Sequence, residues 1–275
     1  MKLKNLIIAL GKAVLYCLAF LLIQIISALL VGNASVFLDI LCRVITEQDV
    51  WWFTDHAVIL ASAAAAPITV LFFFLFFQIR RKTLAEEVGF SRLTRPTAVF
   101  GSMLALGFGL CILSTFLIAL IPFPQSWIAQ YGQYSDALTE DCLWLTMIGT
   151  VLCAPLTEEL VFRGLVYTRL RRGMPVWAAA LLSAVFFGIL HGTFLHLVFV
   201  IPMGLLLCYV YEKYRSLWAA VFLHMGFNLC GSVLPYYTFD KLWMVGAFMV
   251  IGLYLTVVGV LSMRRYENHV LDFNY

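Results

Sequence analysis

The stretch TEELVFRGL (157–165) places two carboxylates and one guanidinium inside a mostly apolar run that covers residues 143–166. A run of this length can cross the roughly 30 Å of hydrocarbon in a bilayer. A charged side chain at such depth costs at least about 2.5 kcal/mol and usually has a function. The stretch therefore predicts a transmembrane helix that carries functional polar groups.

The whole chain has the composition of a membrane protein. Of its 275 residues, 63% are hydrophobic and 12% are charged, and the mean hydropathy is +0.95. These values exclude the soluble globular class. Apolar runs of sufficient length to span a bilayer cover residues 6–31, 58–77, 98–121, 143–166, 217–234 and 242–263.

A further apolar block, residues 176–211, is too long for one span and is interrupted by His191, Gly192, Thr193 and His196. We expect two short helices of about 16 residues joined by a turn, which brings the total to about eight transmembrane helices. Non-helical backbone at membrane depth is tolerated only beside protein or a water-filled cavity. The predicted fold is an all-α, polytopic membrane helical bundle with a polar cavity in spans four to seven.

The basic residues give the orientation. With these spans, 14 of the 18 lysines and arginines fall on one side of the membrane and only Arg43 and Lys241 on the other. The positive-inside rule then places both termini in the cytoplasm. The net charge of +3 follows from this bias and requires no nucleic-acid partner. The short, compact form favours a bacterial plasma membrane, with the lipid bilayer as partner.

We divide the chain into N-terminal transmembrane helices (1–142), a catalytic core (143–234), and a last transmembrane helix with a cytoplasmic tail (235–275). The polar residues predicted at depth lie in the core. Counting about 1.5 Å per residue from the cytoplasmic charges brings them to a similar level. These residues are Glu158, Glu159, Arg163, His191, His224 and Asn228. Their coincidence in depth predicts a common site, whereas His196, at the turn, is equally compatible with simple packing.

Helical spacing assigns roles to the two glutamates. Glu159 and Arg163 are four residues apart with the acid first, which is the favourable order for an ion pair. Glu158 is rotated by about 100° from Glu159, so it is free to face the cavity as a base. His224 and Asn228 are also four residues apart and share one face. A carboxylate, imidazoles and an amide are the groups needed to activate water and stabilise an oxyanion.

Three motifs occur in order on consecutive helices: EExxxR at 158–163, FxxxH at 187–191 and HxxxN at 224–228. Together they resemble the CPBP family of intramembrane proteases, which includes type II CAAX prenyl endopeptidases and bacterial Abi proteins linked to bacteriocin processing and self-immunity. The resemblance covers residues 145–231. It implies that Glu158 and His191 activate water, that His224 and Asn228 bind the oxyanion, and that Glu159 and Arg163 support Glu158.

The resemblance leaves the metal question open, because the family has been described both as glutamate-type and as metalloproteases. The HExxH signature of zinc proteases is absent. We therefore favour catalysis without a cofactor, with zinc bound by Glu158, His191 and His224 as the alternative. The expected substrate is a membrane-associated peptide or protein of CAAX type or of leader or bacteriocin type.

Two other function classes compete with a protease. A catalytically silent member would act as an immunity or partner-binding protein and would keep the fold without the reaction. A proton-coupled transporter would relay protons through buried carboxylates and histidines. Transporters are commonly built from repeats, whereas the polar residues at depth here are concentrated in the second half of the chain, which disfavours the transporter.

Overall fold

The computed structural model describes residues 3–88, 93, 95–136, 142–234 and 241–266, in which all regular elements are helical. This confirms the predicted all-α fold. The helices are α1 (Leu3–Thr46), α2 (Trp52–Asp55), α3 (Ala57–Ile79), α4 (Leu84–Val88), α5 (Pro96–Ala119), α6 (Gln125–Asp136), α7 (Leu143–Arg171), α8 (Val176–Ile189), α9 (Phe194–Tyr214), α10 (Leu217–Val233) and α11 (Leu242–Arg265).

Six helices in the described part of the chain are long and apolar enough to cross a membrane, namely α1, α3, α5, α7, α9 and α11. The two remaining predicted spans, α8 and α10, are apolar but have only 14 and 17 residues. At about 1.5 Å per residue they reach roughly 21 and 26 Å. The predicted hairpin at 176–211 is thus unequal, because α9 has 21 residues instead of about 16.

Helix α1 continues 15 residues beyond the end predicted at residue 31, to Thr46. Asp39 lies in this continuation, and its carboxylate is buried. It accepts hydrogen bonds from the backbone N–H groups of Phe53 (3.1 Å) and Thr54 (2.8 Å) at the start of α2. Asp39 therefore connects the end of α1 to the start of the next helix.

Helix α7 is not a regular α-helix. Its α-helical segments alternate with two π-helical segments, Met147–Cys153 and Leu160–Tyr167, which flank the α-helical segment Ala154–Glu159. Pro155 lies directly after the start of this α-helical segment, where it lacks an N–H donor for the preceding turn. π-Helical turns are frequent at functional sites. Here they surround the turn that carries Glu158 and Glu159.

Helices α5 and α10 approach each other closely at two glycines. A methyl group at Gly107 would lie 2.0 Å from the carbonyl oxygen of Leu223, and one at Gly226 would lie 2.2 Å from the carbonyl oxygen of Leu104. Small residues allow such backbone contact between transmembrane helices. This contact holds α10, with its functional residues, in the centre of the bundle.

The carboxylates of Glu87 and Glu212 form ion pairs with five basic residues at one end of the bundle. Glu87 on α4 forms ion pairs with Lys82, Arg169 (3.0 Å) and Arg172 (3.7 Å). Partial burial raises the pKa of Glu87, but the hydrogen bond from Lys82 and the arginine charges outweigh it and hold the pKa below its ordinary value. Glu212 on α9 plays the same part for two other arginines of this end.

We expect Gly107→Ala to destabilise the protein by about 1–3 kcal/mol, because the added methyl collides with backbone that cannot rotate away. Gly101→Ala on the same helix is the matched control, since nothing lies within 4 Å of its Cβ position. The thermal unfolding midpoint of each variant in detergent measures the effect. Equal midpoints for the two variants would contradict the close contact.

We expect the Glu87→Gln variant to unfold at a lower temperature than wild type at neutral pH, because it loses the ion pairs with Lys82, Arg169 and Arg172. The lowered pKa of Glu87 means that its stabilisation is complete above the ordinary glutamate pKa and is lost as the pH falls through the lowered value. The difference in unfolding midpoint should therefore shrink in acid. Glu86→Gln, an exposed neighbour, should show no such dependence on pH.

Candidate active site

Four predicted catalytic residues line one cavity of about 200 Å³ between α7, α8, α9 and α10. They are Glu158 on α7, His191 just after α8, and His224 and Asn228 on α10. Glu159 and Arg163, also on α7, lie behind the cavity wall and are fully buried. The structure thus brings the six residues together, although they come from three separate segments of sequence.

Glu159 is the centre of the polar network. Its Oε1 atom accepts a hydrogen bond from Nη1 of Arg163 at 2.8 Å, so the ion pair expected from their spacing is present. The same oxygen lies 2.8 Å from Nδ1 of His224. Arg163 also donates to the carbonyl of Gly204 on α9 at 3.3 Å and lies over the ring of Phe187 on α8 at 4.4 Å. One glutamate therefore orients an arginine and a histidine at once.

The contact with Glu159 also sets the direction of the His224 ring. Because a carboxylate accepts hydrogen bonds, Nδ1 of His224 carries the proton in this contact. The other nitrogen, Nε2, lies 3.8 Å from Oε2 of Glu158. Glu158 itself keeps 20% of its side chain exposed, and it lines the cavity. The two adjacent glutamates thus occupy different environments, one buried and paired and the other open to the cavity.

His191 is held by its own helix. Its Nδ1 atom donates to the carbonyl oxygen of Phe187 at 2.8 Å. A neutral His191 then has Nε2 as its hydrogen-bond acceptor. The buried ring of Phe187 packs edge-on against the rings of His191 and His224, with centroids 4.7 and 5.9 Å apart. The phenylalanine of the FxxxH motif is therefore a packing centre that fixes both histidines.

Asn228 connects α10 to the irregular part of α7. Its Nδ2 atom donates to the carbonyl oxygen of Thr150 at 2.8 Å, inside the first π-helical segment. The Thr150 hydroxyl in turn lies 3.1 Å from that of Ser232 on α10. An amide nitrogen has two hydrogens, so one remains for a ligand in the cavity. The π-helical geometry is thus coupled directly to a predicted oxyanion donor.

Helix α6 contributes to the cavity, which could not be expected from the apolar runs. Tyr131 and Tyr134 on this helix line the cavity, and each ring packs edge-on against His196, with centroids 4.8 and 4.7 Å away. His196 is buried, and its Nδ1 atom lies 2.9 Å from the hydroxyl of Thr193. Burial raises the pKa of Tyr131. The spacing of the two tyrosines gave no signal, because α6 lies outside the apolar runs.

The cavity adjoins two further ones. A space of about 400 Å³ shares Glu158, His191 and Tyr134 with it and is closed on the far side by α1 and α3. A space of about 500 Å³ on the other side shares Tyr131 and Phe199 and extends to α5. The first three spans, which the motifs left without a role, therefore form walls of the cavities next to the site.

Zinc bound by Glu158, His191 and His224 is the alternative to catalysis without a cofactor. In the described part of the chain, no group of three or more His, Cys, Asp or Glu side chains is arranged to hold a metal ion. The donors Glu158 and His224 are close to each other, but His191 does not complete a set with them. Zinc bound by these three residues therefore stays a prediction, as does catalysis without a cofactor.

Comparison with known proteins supports the resemblance. Residues 140–230 match the family described as Type II CAAX prenyl endopeptidase Rce1-like. A Bacillus subtilis (strain 168) protein named "Putative membrane peptidase YdiL" is 25% identical over 124 residues, which are 44% of this chain and 51% of that protein. The chain thus spans about half the length of this relative. No solved structure matches.

These matches confirm the resemblance to the CPBP family that the three motifs carry. The matched region contains all six predicted site residues. Together with the six helices that are long enough to cross a bilayer, the matches identify an integral, multi-pass membrane protein.

We expect Glu159→Gln to lower the stability of the folded protein by about 3–5 kcal/mol, because it leaves the buried charge of Arg163 without its counter-ion. Glu158→Gln is the matched control. Glu158 is partly exposed, and its carboxylate lies 3.8 Å from His224, whereas that of Glu159 lies 2.8 Å from Arg163. Thermal unfolding in detergent compares the two. A Glu159→Gln protein as stable as the control would contradict the division of roles.

Proposed function

We propose that this chain is an intramembrane endopeptidase. It hydrolyses a peptide bond with a water molecule that is activated by Glu158 and His191. The observation that carries the proposal is the pair of adjacent glutamates in two environments. Glu158 faces the cavity, while Glu159 is fully buried and holds Arg163 and His224. The matches to a prenyl endopeptidase family and to a protein named as a membrane peptidase support the same reaction class.

In the proposed reaction a water molecule lies between Glu158 and Nε2 of His191. Glu158 takes a proton from this water as the oxygen attacks the carbonyl carbon of the substrate, and a tetrahedral oxyanion forms. The oxyanion accepts hydrogen bonds from Asn228 and from a protonated His224. The C–N bond then breaks, and the proton on Glu158 passes to the leaving amine.

Glu159 and Arg163 act in this scheme through their neighbours. Glu159 binds Nδ1 of His224 and so directs Nε2 toward the cavity. An imidazolium can donate from both nitrogens, and the carboxylates of Glu158 and Glu159 stabilise its charge. Arg163 keeps Glu159 in place through the ion pair. We therefore describe Glu159 and Arg163 as positioning residues.

The substrate proposed is a membrane-associated peptide or protein. The two cavities that adjoin the active-site cavity are lined mainly by apolar side chains, which suits an extended segment with apolar residues. A leader or bacteriocin-type peptide and a CAAX-type peptide both have this character. We propose a bacterial plasma membrane with both termini cytoplasmic as the location, and no cofactor. The tail at 267–275 lies outside the described residues.

The test is cleavage of a fluorogenic peptide library by the purified protein in detergent, with leader-type and CAAX-type sequences in separate pools. We expect wild type to cleave one pool and Glu158→Gln to lose at least about a hundredfold in rate, the contribution of a general base. The exposed Glu86→Gln variant is the matched control and should cleave like wild type. Equal cleavage by Glu158→Gln and wild type would contradict the proposal.

A strong chelator separates the two chemistries. Cleavage that survives the chelator supports the metal-free reaction. Cleavage that is abolished and then restored by zinc assigns Glu158, His191 and His224 to a metal instead. A folded protein that cleaves neither pool favours the silent, partner-binding alternative.

A further inference from the structure

A second candidate site lies at the end of the bundle where α5 begins and where α9 and α11 end. A cavity of about 370 Å³ opens there, and it shares no residue with the active-site cavity. Two arginines line it, Arg95 directly before α5 and Arg265 at the end of α11. Apart from Ser262, the remainder of its wall is aromatic and aliphatic, and no acidic side chain lines it among the described residues.

Ion pairs neutralise five other cations at the same end of the bundle. Glu87 and Glu212 form ion pairs with Lys82, Arg169, Arg171, Arg172 and Arg215. Within the described residues, no ion pair is formed by Arg95 or Arg265. Two guanidinium groups therefore converge on one cavity without a neutralising partner there. Such an arrangement attracts an anion. A guanidinium group can donate two parallel hydrogen bonds to the oxygens of a phosphate.

One wall of the cavity is apolar and continues onto the outer surface of the bundle. Val99 on α5 is buried, whereas Val258 and Leu261 on α11 are 38% and 45% exposed. Because α11 is a candidate membrane span, these exposed side chains face hydrocarbon. A ligand that fills the cavity and follows this surface has a charged end and an apolar end.

Two tyrosines, Tyr214 and Tyr266, form a further wall of the cavity, and their rings are tilted by 39° to each other. The rings of Tyr214 at the end of α9 and of Tyr266 after α11 lie 4.3 Å apart between centroids. Tyr214 is buried. The aromatic rings and phenolic hydroxyl groups of this pair suit the boundary between lipid headgroups and hydrocarbon.

We propose that this cavity binds the phosphate of an anionic phospholipid, with Arg95 and Arg265 on the phosphate and the acyl chains along Val258 and Leu261. Basic pockets between transmembrane helices at this membrane face have the chemistry for such headgroups. The lipid joins the start of α5 to the ends of α9 and α11. The proposal rests on this cavity alone and is independent of the reaction at Glu158.

Native mass spectrometry tests the proposal with the full-length protein in detergent. Phosphatidylglycerol and phosphatidylcholine with the same acyl chains are added in turn. We expect wild type to retain phosphatidylglycerol in preference, and Arg95→Gln/Arg265→Gln to lose about tenfold or more in affinity because two charge-assisted contacts are removed. Each single variant should lose part of that affinity.

Arg264→Gln is the matched control, because Arg264 is the exposed neighbour in the same helical turn and does not line the cavity. It should retain lipid like wild type. Inorganic phosphate at millimolar concentration should not displace the lipid; displacement would assign the site to free phosphate and overturn the proposal. Unchanged retention by the double variant, or an equal loss in Arg264→Gln, would also overturn it. A thermal unfolding midpoint without added lipid establishes that each variant is folded.

Discussion

The hydrogen-bonded contact of Arg163 with Glu159 is the constraint on which the centre of the bundle depends. Both side chains are fully buried, and a buried charge without a partner would destabilise the fold severely. The pair contacts three further helices through the carbonyl of Gly204, the ring of Phe187 and the imidazole of His224. α8, α9 and α10 must therefore keep their positions around α7 if these charges are to be satisfied.

The π-helical segments of α7 give this pair and the cavity their geometry. They free backbone groups that a regular helix would satisfy internally, and the carbonyl of Thr150 uses this freedom to accept from Asn228. The same irregular helix carries Glu158 outward and Glu159 inward. The backbone, the buried charges and the residues that line the cavity are thus parts of one connected arrangement.

Much of this structure could be predicted from the sequence. Apolar runs gave the spanning helices, because the length needed to cross hydrocarbon is fixed, and i,i+4 spacing gave the contact between Glu159 and Arg163. Spacing along one helix could not show that His224 shares the same oxygen of Glu159, because that contact depends on how α10 packs on α7. The hydrogen bonds of Asp39, in the part of α1 past residue 31, could not be predicted for a similar reason, since its partners follow it by 14 and 15 residues. The aromatic contacts of α6 with His196 likewise depend on tertiary packing.

The shortness of α8 bears on how the site meets its surroundings. A helix of 14 residues falls about 9 Å short of the hydrocarbon thickness of an average bilayer. Lipid beside such a helix adapts by local thinning, at a modest free-energy cost for each ångström of mismatch. His191 follows the short helix by two residues. It is then closer to the headgroup region than it would be at the end of a full-length span. We expect a shorter path for water to the carboxylate of Glu158 there, so that the thickness of the membrane influences access to this site.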